Sequence, residues 1–226
     1  MADTITLKSG HDGFDFAALH DQPHGQRRGG VIVVQEIFGL DPYIHADVAR
    51  WAARGFEVVA PSMYDRQEPG FTAEHTDEGV QAAVKYAMAN GPDNAMSDIQ
   101  ACIDFLSPRG PVFIVGYCYG GTMVWLAASR CKGLSAGSSY YGGQVAGMAA
   151  LPLSCPVELH LGRKDGHIPA DEVKAKLQAA HPEVPVWIYE ASGHGFNNEG
   201  RPDSDLADAE LARQRTVALF EANGAA

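Results

Sequence analysis

The sequence has no long apolar run. None of its hydrophobic stretches approaches the ~18–20 residues that a membrane span needs, so no membrane is expected as a partner. The opening residues, from Met1 to Thr6, show no basic segment followed by an apolar one, so no secretory leader is expected and the expected location is cytoplasmic. Positive charge is scarce. Lys and Arg number 17 against 28 Asp and Glu, for a formal net charge of −11. No basic stripe remains to neutralise phosphates, which argues against nucleic acid as a partner. Cysteine is sparse as well: Cys102, Cys118, Cys131 and Cys155 form no CxxC pair and have no nearby histidine at metal-ligand spacing. Free thiols are expected rather than disulfides, and no metal site.

What is there is ordinary for a globular protein. Hydrophobic residues make up 46% and charged residues 20% of a 226-residue chain, enough to bury a core. A single domain over residues 1–226 is expected, frayed at residues 224–226, with a monomer as the default state. Short strand-like runs at 4–7 and 14–19 flank a turn and read as an antiparallel hairpin. A β-branched run at 31–34 and runs at 56–60, 112–115, 134–141, 157–161 and 186–189 read as strands, those at 31–34 and 112–115 buried. Helices are expected from Pro42 to the stop at Gly55, over 73–90 and 93–106 with a break at Gly91 and Pro92, and over 119–130, 170–180 and 203–223. Strands alternating with helices imply an α/β fold, a mostly parallel sheet with helices on both faces and an antiparallel N-terminal hairpin.

The chemistry concentrates at Gly116-x-Cys118-x-Gly120, between a buried strand and a helix. This is the nucleophile-elbow pattern with cysteine in place of serine. A sharp turn exposes the nucleophile, small neighbours let strand and helix approach, and the helix N-terminus favours a thiolate. The alternative is a buried structural cysteine. A dinucleotide loop lacks support, because the G-x-G-x-x-G spacing is absent, and no cofactor is expected. Two later loops matter. One leaves a strand and presents Asp165; the other leaves the last strand and presents His194 between Gly193 and Gly195. Taken singly, these are ordinary turn and loop residues. Taken together they follow the order nucleophile, acid, histidine at the strand C-termini of one sheet. The loop after the third strand, Gln35 to Gly39, is where elbow hydrolases place one oxyanion amide; the residue after the nucleophile supplies the other. That nominates the amides of Ile37 and Tyr119. Glu36 then points towards the pocket or stands as an exposed loop residue.

These residues are similar to those of dienelactone hydrolases (carboxymethylenebutenolidases) of the α/β-hydrolase superfamily. The resemblance spans nearly the whole chain: Gln35 to Gly39, Ala60 to Tyr64, Gly116 to Gly121, Tyr140 to Gly142, Asp165, and Gly193 with His194. It implies a cysteine nucleophile at Cys118, the base His194, the orienting Asp165, and a Glu36 that lies against the thiol in the resting enzyme. It implies a small-molecule ester or lactone as substrate, with Phe38, Tyr141 and His167 lining the pocket. Phe196 and Asn197, beside His194, are further substrate-contact candidates. The family holds its substrate carboxylate with arginines, one of them shortly after the histidine; here residues 195–200 carry Asn197 and Asn198 instead. Arg66 is then the candidate anion contact. The departure bears on dienelactone as the substrate more than on the reaction class. Two other functions use the same residues: a non-catalytic small-molecule binder on the hydrolase fold, and a thiol sensor working through Cys118.

Overall fold

Runs rich in valine and isoleucine build the centre of the sheet. β3 (Gly29–Val34), β4 (Phe56–Pro61), β5 (Val112–Tyr117) and β7 (Val157–Gly162) are buried at every residue, as strands covered on both faces must be. A computed structural model describes residues 2–199, 201 and 204–226. Its eight-stranded sheet has the order β1-β2-β4-β3-β5-β6-β7-β8. β1 (Asp3–Lys8) and β2 (Asp15–Asp21) pair antiparallel, and β2 runs antiparallel to β4. From β4 onward every pairing is parallel, through β6 (Leu134–Tyr140) to β8 (Val186–Tyr189). The expected α/β-hydrolase fold is therefore present, antiparallel edge included. Parallel strands share a direction, so the loops after β3, β5, β7 and β8 all open at one edge of the sheet.

Helices surround the sheet and start where the sequence offers caps. α1 (Pro42–Ala53) opens on Asp41, whose carboxylate accepts from the Ile44 amide, with proline at the first helical position. α2 (Asp77–Leu106) starts four residues later than expected, because Thr76 caps it through Gly79 N–H. At Gly91 the backbone adopts φ 66° and ψ 170°, with Pro92 following, so α2 is two helical arms joined at a kink. α3 (Tyr119–Arg130) packs on β5 and β6, and α4 (Ala170–Ala180) precedes β8. α5 (Leu206–Ala222) begins after the cap Asp205; Asp203, the expected start, lies outside the described residues. Phe220 of α5 stacks on Phe113 and meets Phe56 and Trp51, closing one side of the core.

Two local expectations are corrected. β6 ends at Tyr140 rather than Tyr141, which turns away at φ 38°. The C-terminal residues are tied down rather than frayed. Ala225 N–H donates to Phe220 O at 3.0 Å and Ala226 N–H to Arg28 O at 3.2 Å, while Arg28 Nε donates back to Ala226 O at 2.7 Å. Among the described residues no helix is long and apolar enough to cross a membrane.

Candidate active site

β5 must turn sharply into α3 beside β3, and the two elbow glycines make that possible. A Cβ at Gly116 would sit 2.3 Å from Gly120 O, and one at Gly120 would sit 2.3 Å from Val34 O. Between them Cys118 takes φ 53° and ψ −109°. A non-glycine residue in such a region costs ~1–3 kcal/mol, which the surroundings must supply. They do so with a fixed frame: Cys118 N–H donates to Tyr140 O at 3.0 Å, and Thr122 N–H to Cys118 O at 3.2 Å. Gly120 N–H donates to Gln35 O at 3.1 Å, tying the loop after β3 to the elbow. Ile37 and Tyr119 line the same cavity as Cys118. Among the described residues neither of their amides is taken up by a protein acceptor.

Asp165 sits in the turn after β7 and His194 in the loop after β8, which the β7–β8 pairing brings side by side. His194 Nδ1 lies 2.7 Å from Asp165 Oδ2, and Asp165 Oδ1 accepts from the amides of His167 (2.8 Å) and Ile168 (3.2 Å). Burial alone would raise the Asp165 carboxyl. The hydrogen bond and charge of His194, with the two amides, hold it below the usual carboxylate range. Burial likewise works against a charged His194. The hydrogen bonds to Asp165 and Cys118, and the charges of both, outweigh it and push His194 up to about 10. The imidazole is thus bonded to the Asp165 carboxylate and lines the same cavity as Cys118. The arrangement can move a proton to or from a group resting on Cys118.

Glu36 is buried, but its bonds go elsewhere than to the thiol. Tyr141 OH donates to Oε1 at 3.1 Å, Asn198 Nδ2 donates to Oε2 at 3.2 Å, and Arg201 Nη1 stands 3.9 Å from Oε1. Among the described residues these are the side-chain partners of Glu36, and none of its hydrogen bonds goes to Cys118. Tyr141 is wholly buried, so it holds Glu36 and backs His194 (ring centroids 4.7 Å apart) instead of lining the pocket. Phe38 and His167 do line the cavity, which measures about 740 Å³. That lies within the ~300–1,000 Å³ typical of small-molecule sites.

Three other expected contacts are not made. Arg66 is bidentate to Asp98 (2.6 and 2.9 Å) and to Asp12 (2.8 and 3.0 Å), a clamp between the N-terminal turn and α2, and does not reach the cavity. Phe196 is buried among Tyr189, Tyr140 and Tyr141. Asn197 is buried too and donates to the Tyr43 hydroxyl. Two arginines line the cavity instead: Arg130, paired with Asp93 at 3.2 Å, and Arg201, one residue beyond the 195–200 stretch that carries the asparagines. A longer window after His194 was the available signal, since the loop folds back over Gly195.

Glu36, Asp41 and His75 bring ligand atoms within 4.8 Å of one another. Each already has protein partners: His75 Nε2 lies 2.8 Å from Asp41 Oδ2, Asp41 Oδ1 caps α1, and Glu36 is held as above.

The model of the dienelactone hydrolase family matches residues 16–224. A carboxymethylenebutenolidase of Pseudomonas putida is 29% identical over 226 aligned residues, covering 96% of this chain and 95% of that one. A crystal structure of a candidate dienelactone hydrolase from Klebsiella pneumoniae superposes with a TM-score of 0.83 at 26% identity, covering 98% of this chain and 99% of that one. A dienelactone hydrolase-like promiscuous phosphotriesterase from metagenomic libraries shares the fold, with a TM-score of 0.76 at 20% identity over 99% and 98% of the two chains. With the family match and the relatives extending over nearly the full length, the chain belongs to the dienelactone hydrolase family and is a carboxylic ester hydrolase.

Proposed function

We propose that this hydrolase cleaves small lactones and activated esters through an acyl thioester on Cys118, with His194 as general acid and base and Asp165 as its orienting partner. One observation carries the reading. A cysteine at positive φ begins a helix beside a histidine whose other ring nitrogen is 2.7 Å from a buried aspartate. The Cys118 thiolate attacks the carbonyl carbon and the C–S bond forms, while the negative charge moves to the carbonyl oxygen. The amides of Ile37 and Tyr119 receive that charge, a contribution of ~10²–10³ in rate per donor. As the C–O bond breaks, protonated His194 gives its proton to the departing oxygen. Water then attacks the thioester, His194 takes its proton, and the C–S bond breaks to release the acid and restore the thiolate.

A thiolate expels an enolate or phenolate more readily than a simple alkoxide, so enol lactones and aryl esters are the favoured substrates. Arg201, balanced by Glu36, offers its guanidinium to an anionic group on the substrate. All these residues come from one chain, so the monomer suffices as the working unit. The thiol-sensor reading has less support. Burial pushes Cys131 up to about 12 and Cys155 up to about 11, and raises Cys102 well above the usual thiol value, which leaves poor partners for exchange.

The test is hydrolysis of p-nitrophenyl acetate and of cis- and trans-dienelactone by wild type and Cys118→Ala. The expected result is a loss of at least ~10³-fold in the variant, with an acyl adduct in the intact mass of rapidly quenched wild type only. Equal activity of the two proteins would remove Cys118 as the nucleophile. Inactivity of both would favour the binder.

A further inference from the structure

The cavity at Cys118 is not uniform. One wall is the first arm of α2, where Val80, Val84 and Met88 recur every fourth residue on one face. They are exposed by 38%, 37% and 78%, large apolar side chains that the core does not cover. The arm is anchored through a different face: Tyr86 meets Phe71 edge-on at 4.6 Å and donates to Glu68 Oε2 at 2.6 Å. Opposite the free face stand Met123 and Leu126 of α3 and Met148. Behind His194 lies a second cavity of about 530 Å³ with a contrasting lining, including Lys164, His167, Arg201 and Ser204. The two share His167, His194 and Arg201, but Cys118 lines only the first.

We propose that these are two substrate arms: the apolar arm takes a medium-length aliphatic or aromatic acyl group, and the polar arm takes the leaving alcohol. The inference rests on the acyl-thioester reading. The acyl carbon is bonded to Sγ of Cys118, so its substituent extends into the cavity that Cys118 lines. The departing oxygen must be within reach of His194, one of the three residues common to both cavities, and Cys118 holds the acyl side, so the alcohol lies on the polar side. Lys164 and Arg201 there, beside the Asp205 carboxylate that caps α5, suit a polar alcohol. Val80, Val84 and Met88 then determine acyl preference without taking part in the chemistry.

The experiment measures kcat/KM for p-nitrophenyl esters from acetate to octanoate, and for 4-alkylphenyl acetates of increasing alkyl length. Burial of each added methylene predicts a rise of about threefold to fourfold along the acyl series until the arm is filled, and no such rise along the alcohol series. Val84→Asp and Val80→Asp should each lower the octanoate-to-acetate ratio at least tenfold, and Val84→Leu should keep it. In parallel, calorimetry of Cys118→Ala with acetate, hexanoate and octanoate ions should show affinity growing with chain length, a readout independent of turnover. Ester cleavage with a flat acyl series overturns the two-arm assignment and leaves the hydrolase reading standing. If no ester is cleaved, the hydrolase reading fails, and flat carboxylate affinities would overturn the arm as well. A flat series with a dimer that Met88→Glu dissociates would assign the apolar face to a second copy.

Discussion

Two clusters in this protein hold nearly the same groups. In one, His194 is bonded to Asp165 and lines a cavity together with Cys118. In the other, His160 Nε2 lies 3.0 Å from Glu158 Oε1 and 3.1 Å from Ser138 Oγ, with Tyr189 OH 2.8 Å from Nδ1. A histidine, a carboxylate and a nucleophile-type side chain are present in both. The second is sealed: His160 and Ser138 are fully buried, and Thr216 of α5 closes over Ser138 at 2.8 Å. Its residues lie within β6 and β7, where neighbouring strands and α5 satisfy every group. The first lies in loops past the strand ends and opens on a cavity. The difference teaches that residue types alone do not make a site. Position at the sheet edge, a strained backbone and an empty space beside the nucleophile distinguish the two.

The largest effect that separates them is on turnover. Cys118→Ala should abolish at least ~10³-fold of the ester hydrolysis with little change in stability. Ser138→Ala should leave turnover within about twofold and cost ~1 kcal/mol in urea unfolding. Comparable activity losses in both variants would erase the contrast. Next comes His160→Leu, which leaves Glu158 buried beside an apolar group. Breaking a buried pair of this kind costs ~3–5 kcal/mol, while activity per folded molecule should persist. A stability change below about 1 kcal/mol would show that the cluster contributes little.

The last contrast is in pH dependence, where the two clusters run in opposite directions. His194 is raised to about 10 when folded, so its contribution is complete below its unfolded value near 6.5 and is lost as pH rises towards 10. Glu158 is pulled the other way. Burial would raise it, but the charge and hydrogen bond of His160, with bonds from Trp187 and Ser138, lower it. Its contribution is present above its unfolded value near 4.5 and is lost as pH falls below that. Urea midpoints from pH 4 to 10 should therefore decline at both ends. Asp165→Asn should flatten the alkaline decline and His160→Leu the acidic one. A variant that flattens the opposite limb would reverse the assignment.

The elbow was legible in the sequence because its constraints are local. A strand, two glycines and a helix at fixed spacing demand a turn with a projecting side chain at Cys118, whatever surrounds it. The order of Asp165 and His194 was legible for a related reason, since parallel strands bring their following loops to one edge. The partners of Glu36 were not legible. They come from Tyr141, Asn198 and Arg201, which are separated from it by more than a hundred positions and meet only when β6 and the loop after β8 close around it. Arg66 shows the same limit. Nothing near it in sequence announces Asp98, which lies 32 residues away on the far arm of α2 and captures the guanidinium.

By itself the sequence determined the α/β alternation, the strand core and the elbow, because hydrophobic period and glycine sterics act over a few residues. Only the tertiary structure decided which arginines face the cavity, which histidine is sealed, and that Val80, Val84 and Met88 are left uncovered. Long side chains reach across elements, and burial is a property of what packs alongside, so neither can be read from neighbours in the chain.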